Sequence, residues 1–448
     1  MTARDLWQKV HARFDPLEPA SVRALRMDRD ESPAAPIMKL LELPFGTPRL
    51  LLTGTVGTGK TTELFRVAEE REQKELVVFL RLDKHFETTV GDRAALLSIS
   101  AWEVCFLAGL AVLRAAENIG YKAPKSIETD LAAAYVAAAR AAGAEDDPQV
   151  DIARLAKQMA VLVSGAVAGP IGAGLQVLAS VAEAGRWSIS LGRRPRLLRD
   201  SDDAARTVLQ SVNTLIGLVQ QYARPLLVVL DGLDLIADKL KAKELFVDSQ
   251  MIANLGCRLV VCGPFALRHS QYAAAVSPQF TQVAPLVNLP VLQHDDPTLR
   301  GPGILFFRGL FQRRVRDLGD RCAALLPEAL LDELAYYSGG RARSFMQMIQ
   351  RTAEEGYIAD SPATPAIVQR VLRERRLQQE TGLHTGHLRV LQSVADDPKH
   401  SLPEDSLVDE LLASHSLLPY PNESEWYYPN PLLTIHRIKP SVGSTKSH

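Results

Sequence analysis

An α/β fold is what this sequence predicts: a parallel sheet broken by a mainly helical insert, then a helical lid and a small winged-helix-like module. Three observations carry that expectation. Short apolar runs at 49–53, 75–83, 226–230 and 258–262 alternate with stretches of helical periodicity, the pattern of parallel strands joined by right-handed crossovers. A glycine-rich octapeptide, Gly54–Thr61, stands between the first run and the first helix. From about Pro302 the pattern turns helical, and it ends in two short apolar runs around a Pro-Asn turn. With 448 residues, 46% of them hydrophobic and 23% charged, the chain is long enough for two or three domains with a substantial core.

Taken in order, residues 1–48 form a lead-in that contains the irregular, turn-rich Phe14-Asp15-Pro16-Leu17-Glu18-Pro19. Arg49–Thr53 is a buried strand by its length and apolar character. Gly54-Thr55-Val56-Gly57-Thr58-Gly59-Lys60-Thr61 fits G-x-x-x-x-G-K-[ST], the P-loop that wraps the phosphates of a nucleoside triphosphate. Its glycines let backbone N–H groups approach phosphate oxygens without a Cβ in the way. Lys60 brings a positive charge to the β and γ phosphates, and the Thr61 hydroxyl suits Mg²⁺. Thr62 opens a helix whose positive end faces the same anion, with Leu64, Val67 and Ala68 on one face.

The second strand lies within Glu75–Asp83. Residues 88–200 then interrupt the sheet with a mainly helical insert, Ala-rich at Leu131–Ala142 and loop-like at Gly143–Gln149. No charged residue occurs between Gln158 and Ala182, a length that spans a bilayer. Its Ala, Gly and Ser content and the Gly169-Pro170 break favour a buried or hairpin-forming segment, with membrane contact as the lesser reading. The basic stretch Gly192–Arg199 reads as a solvated face, with contact to a partner subunit or an anion as the alternative.

Leu226–Leu230 is a run suited to a strand buried on both faces. Asp231 ends it, on the edge where open parallel sheets bind ligands, and is placed to hold Mg²⁺ through its water shell. Asp234, three residues on, suits a general base that polarises the attacking water. A helical stretch around 241–254 leads to the strand Arg258–Cys262. That strand's tip, Cys262-Gly263-Pro264, lacks the polar residue that often senses the γ-phosphate at this position. No Asn-Lys-x-Asp motif is present, so the expected nucleotide is ATP rather than GTP.

Ile304–Leu318, Ala329–Tyr337 and Arg341–Tyr357 read as helices, with Ser338-Gly339-Gly340 ending one before the next begins. Arg343 at that restart suits a γ-phosphate contact, since a guanidinium stays charged and grips two oxygens. Whether Arg313, Arg314 or Arg316 reaches a neighbouring subunit's nucleotide stays open. Helices from Leu388 and over Ser406–Ala413 precede a hairpin formed by Leu417–Tyr420 and Glu425–Tyr428, a winged-helix-like order. Between 388 and 437, eight acidic residues face three basic ones, a balance that repels a duplex, so nucleic acid is not expected at this module. Lys439–His448 reads as a disordered tail. The expected domains are therefore 1–48, 49–300 with the insert at 88–200, 301–382, 383–438 and the tail at 439–448.

Net charge is −1, and Cys105, Cys257, Cys262 and Cys322 lie far apart. They read as small core residues in a reducing cytosol rather than disulfides or a zinc site. The first residues lack an apolar core, so no secretory signal is expected, and the expected location is cytoplasmic.

Gly54–Leu64, Leu227–Asp234 and Ser338-Gly339-Gly340-x-x-Arg343 occur in that order. Together with Phe14–Pro19 and Trp426–Leu432 they resemble the bacterial STAND-type ATPases, close to AAA+ proteins, over nearly the whole chain. The resemblance implies an ATP-binding, Mg²⁺-dependent molecular switch that regulates a partner effector or signalling protein, or its own homo-oligomeric assembly, in bacterial signalling or antiviral defence. It implies phosphate binding by Lys60 and Thr61, Mg²⁺ binding by Asp231, the base role for Asp234 and a lid sensor in Arg343. Members often carry Glu where this chain has Leu235. That departure and the Cys262 tip imply slow hydrolysis. A DNA-acting ATPase with a winged helix and a nucleotide-stabilised scaffold without switching are the alternatives.

Overall fold

The computed structural model describes residues 2–17, 23–144, 150–164, 175–178, 187–192, 201–421 and 425–439. The chain divides into two compact units: Pro33–Gly54 with Glu63–Pro285, and Met1–Ser32 with Thr55–Thr62 and Leu286–His448.

The first unit is built on a sheet. Its strands are β1 (Arg49–Thr53), β2 (Leu76–Arg81), β3 (Val161–Ser164), β4 (Leu175–Leu178), β5 (Leu226–Asp231), β6 (Arg258–Gly263) and β7 (Gln282–Pro285), in the spatial order β4-β3-β2-β5-β6-β1-β7. All neighbours from β2 to β7 are parallel. Every residue of β5 is buried, as a strand covered on both faces requires. The register pairs Leu230 with Val261 and Thr53 with Gly263, so β5, β6 and β1 end together on one sheet edge.

The insert is helical in Ala101–Asn118, Lys125–Ala141 and Ile152–Gln158. Ala101–Asn118 is apolar nearly all round and buried along its length, the mark of a core helix rather than a surface one. It packs on the helix Ser201–Tyr222. One part of the expectation needs correcting. The insert also contributes strands: β3 pairs antiparallel with β2, Val78 opposite Val163, and with β4. The apolar run Val161-Leu162-Val163 covers an edge that would otherwise present unpaired backbone. The hairpin-type pairing agrees with the favoured reading of Gln158–Ala182, although 165–174 and 179–182 lie outside the described residues. Among the described residues, no helix is long and apolar enough to cross a membrane. The helical stretch around 241–254 is made of Lys239–Lys243, a π turn at Glu244–Asp248 and a 3₁₀ turn at Ile252–Asn254. The widened π turn lets the consecutive Leu245 and Phe246 both enter the core.

The second unit is helical. Ala3–Arg13, within the lead-in, is a helix whose N-cap Thr2 and Asp5 form a capping box. It packs on Ala342–Ala359; Trp7 is buried and donates its indole N–H to the Ser361 carbonyl at 2.9 Å. Gly303–Val315, Glu328–Tyr337 and Pro365–Glu380 complete this region. Thr385–Asp396 and the short helix Val408–Ala413 precede an antiparallel hairpin, β8 (Leu417–Tyr420) and β9 (Trp426–Pro429). The hairpin is tied back to the Ser338–Gly340 turn, where the Tyr420 hydroxyl donates to the Gly339 carbonyl at 3.0 Å. The Leu289 amide donates to Gly340 O, also at 3.0 Å. The 193–199 basic residues, the 145–149 loop, Glu18 and Pro19, the 422–424 turn and the 440–448 tail fall outside the described residues.

Candidate functional site

The octapeptide leaves β1 at Gly54 and runs straight into the helix Lys60–Arg71. Gly57 and Gly59 have φ of +90° and +105°, a left-handed backbone that side-chain-bearing residues adopt only under strain. A Cβ on Gly57 would also sit 2.9 Å from Arg343 Cβ.

Three successive loop carbonyls are held by groups from elsewhere in the same unit. The Arg341 guanidinium donates to Val56 O at 2.9 Å. The Arg343 amide donates to Gly57 O at 3.0 Å. The Arg29 guanidinium donates to Thr58 O and reaches Val287 O. Every peptide bond here is trans, so an amide N–H points opposite the carbonyl of its own peptide plane. Fixing those carbonyls therefore turns the amides of Gly57, Thr58 and Gly59 to the other side of the loop, the concave arrangement that binds anions. Lys60 is buried and its Nζ donates to Thr55 O at 2.6 Å, where Thr58 Oγ1 also donates at 3.0 Å.

The cations around this loop are concentrated. Arg341 is buried, and its hydrogen bonds go to Val56 O and the Ser344 hydroxyl at 3.1 Å, neither of them a carboxylate. Its Nε has no partner among the described residues. Burial, reinforced by Arg343, draws its guanidinium down to about 9. His415, between the helix Val408–Ala413 and β8, has φ +58° and a buried Nδ1 without a partner among the described residues. Burial, and then the charges of Arg341, Lys60 and Arg343, hold its imidazole well below the usual histidine value. The same three cations thus act on His415 and border the loop.

In the sheet unit, Asp231 closes β5 and is buried, Asp234 lies half-buried in the 3₁₀ turn Leu233–Leu235, and Cys262 is buried in β6. One ligand atom from each lies within 4.8 Å of the other two. The oxygen donors Asp231 and Asp234 suit Mg²⁺, as backbone amides suit phosphate oxygens.

Sequence reasoning picked out Gly54–Thr62, Asp231, Asp234 and Arg343. It missed Arg29, Arg341 and His415, and it discounted Cys262. Arg341 had a signal, since it stands two residues before Arg343 at the same helix start; Arg29 and His415 had none. Arg313 and Arg314 hold the N-terminal segment: Arg313 donates to Ala24 O at 3.0 Å, and Arg314 donates to Arg13 O at 2.6 Å beneath the Phe14 ring.

No protein-family model matches the chain, and no curated protein matches its sequence. Among solved structures, it is similar to the Walker-type ATPase PABY2304 of Pyrococcus abyssi, with 13% identity over 94% of this chain and 99% of that one and a TM-score of 0.43. It is also similar to the Aeropyrum pernix ORC1 protein, determined in complex with DNA, with 10% identity over 93% of each chain and a TM-score of 0.42.

Proposed function

We propose that this chain is an ATP-binding, slowly ATP-hydrolysing switch that regulates a partner protein or its own assembly in bacterial signalling or defence. The observation that supports the reading is the clamp on the Val56, Gly57 and Thr58 carbonyls, because the amides of the same trans peptides then point away from the clamp, free to meet an anion. In this reading Gly54–Thr62 cradle the phosphates, Lys60 neutralises the β and γ oxygens, and Arg343 reads the γ-phosphate. Thr61 and Asp231 hold Mg²⁺, which when bound shields phosphate charge. Asp234 accepts the proton of the attacking water.

Switching follows from the same contacts. The groups that clamp the loop belong to the N-terminal segment and to the helix Ala342–Ala359, which carries the C-terminal hairpin through the Ser338–Gly340 turn. Phosphate seated on the amide side of the loop acts on the same peptide planes that Arg29, Arg341 and Arg343 hold from the carbonyl side, so nucleotide biases the arrangement of those segments. The domain partition proposed with it is an ATPase core at 49–300, a helical lid at 301–382 and a winged-helix-like module at 383–438. Slow turnover is supported by Leu235 and Cys262 at positions where related ATPases place polar groups.

The test is nucleotide binding by Lys60→Ala with a fluorescent ATP analogue in Mg²⁺ buffer. Loss of one buried charge-assisted contact predicts affinity weaker by about ten- to hundredfold. Wild-type affinity rules out the phosphate grip.

A further inference from the structure

We propose that Asp231, Asp234 and Cys262 form a site for a thiophilic divalent cation of the Zn²⁺ class, which acts as a brake on the nucleotide chemistry. The proposal rests on the reading of Asp231 and Asp234 given above and adds a soft ligand that an ordinary magnesium site lacks.

Three separate backbone positions converge here. The parallel register that pairs Leu230 with Val261 brings Asp231 beside Cys262 at the ends of adjacent strands. Gly232 then reverses the chain at φ +102°, where a Cβ would lie 2.9 Å from the Asp83 amide nitrogen, and the turn returns Asp234 to the same point. The resulting carboxylate, carboxylate and thiol atoms are all within 4.8 Å of one another. A zinc ion bound at about 2.0–2.3 Å to each spans ligands about 3–4 Å apart, within reach of small side-chain rotations.

The donor set decides the ion. Oxygen-only sites suit Mg²⁺, whereas a thiolate moves the preference toward softer cations. On binding, the Cys262 thiol releases its proton to solvent, the sulfur–metal bond forms, and no electron changes hands. Three protein ligands leave a fourth position for water, and the half-buried Asp234 leaves a way in. A cation seated there occupies both carboxylates and withholds them from the nucleotide reaction. The other thiols, Cys105, Cys257 and Cys322, join no such group among the described residues.

The experiment is a titration of the full nucleotide-free chain with Co²⁺ and with Cd²⁺, following the thiolate-to-metal charge-transfer absorption. In the wild type the absorption should saturate at a single equivalent, and Cys262→Ser should abolish it. Asp234→Asn should keep the absorption and weaken binding about tenfold. No absorption in the wild type, or absorption that survives Cys262→Ser, overturns the proposal. If Cys262→Ser loses its cooperative unfolding transition, Asp234→Asn decides, and unchanged metal affinity overturns the triad. The Lys60→Ala binding measurement is independent: wild-type ATP affinity there removes the phosphate reading without touching the cobalt absorption.

Discussion

The Arg341 guanidinium lies 2.9 Å from the Val56 carbonyl oxygen, so a residue 285 positions away in sequence helps fix the glycine-rich loop. Its neighbour Arg343 completes the grip through a backbone amide on Gly57. Side chain and main chain of one helix start thus hold consecutive peptides of the loop.

Arg341→Lys keeps the charge but loses the planar fork that reaches Val56 O and Ser344 together. It should weaken ATP binding about tenfold, the value of one hydrogen bond from a charged donor. Fluorescent-nucleotide titration measures this, and an affinity within error of wild type removes Arg341 from loop positioning.

Gly57→Ala should be more damaging than its size suggests. The new methyl lies 2.9 Å from Arg343 Cβ, on a backbone at φ +90°. Strain of about 1–3 kcal/mol should appear as ATP affinity lower by about ten- to hundredfold in titration calorimetry. Normal binding by this variant contradicts the tight seating of Arg343 on the loop.

Asp234→Asn should bind ATP and turn it over about 10²–10⁴-fold more slowly, the usual contribution of a general base. Steady-state phosphate release alongside nucleotide binding checks both halves. Undiminished turnover removes Asp234 from the base role.

Stability should depend on His85, whose ring is buried against Trp187 with both nitrogens unpartnered among the described residues. Burial lowers its value from 6.5 to about 4. An unfolded chain therefore binds the extra proton first, and stability present above 6.5 is lost as pH falls toward about 4, by roughly 3 kcal/mol in all. Burial raises Glu103 from 4.5 to about 7, and that acid acts with the opposite sign between those values. Denaturant unfolding of wild type against His85→Phe from pH 7 to pH 4 isolates the histidine, and parallel curves dismiss it.

The C-terminal region should not retain a DNA duplex. Eight acidic residues against three basic ones between 388 and 437 predict no gel shift at physiological salt. A shift that weakens steeply with added salt instead favours the DNA-acting alternative.

Much of the sheet was legible because its signals are local. Arg49–Thr53, Leu226–Asp231 and Arg258–Gly263 are apolar runs bounded by turn residues, and the octapeptide declares its glycines outright. The hairpin Leu417–Tyr420 with Trp426–Pro429 was legible for the same reason. The strand β3 was harder to see. Val161–Val163 sits in an Ala- and Gly-rich stretch, and only the open edge of β2 makes it a strand. The 241–254 region was legible as helical, but its π turn, with consecutive Leu245 and Phe246 buried, was not.

By itself the sequence determined the loop that suits a phosphate, the acid that ends a buried strand and the order of the parallel strands' signals. Glycine placement and apolar runs act within a few residues and need no partner. Tertiary structure alone decided that Arg29 and Arg341 hold the loop's carbonyls, that the charges of Lys60, Arg341 and Arg343 act on His415, and that Cys262 joins Asp231 and Asp234. Those relationships link residues tens to hundreds of positions apart, and a hydrogen bond or a Coulomb interaction depends on distance in space, for which linear spacing carries no code.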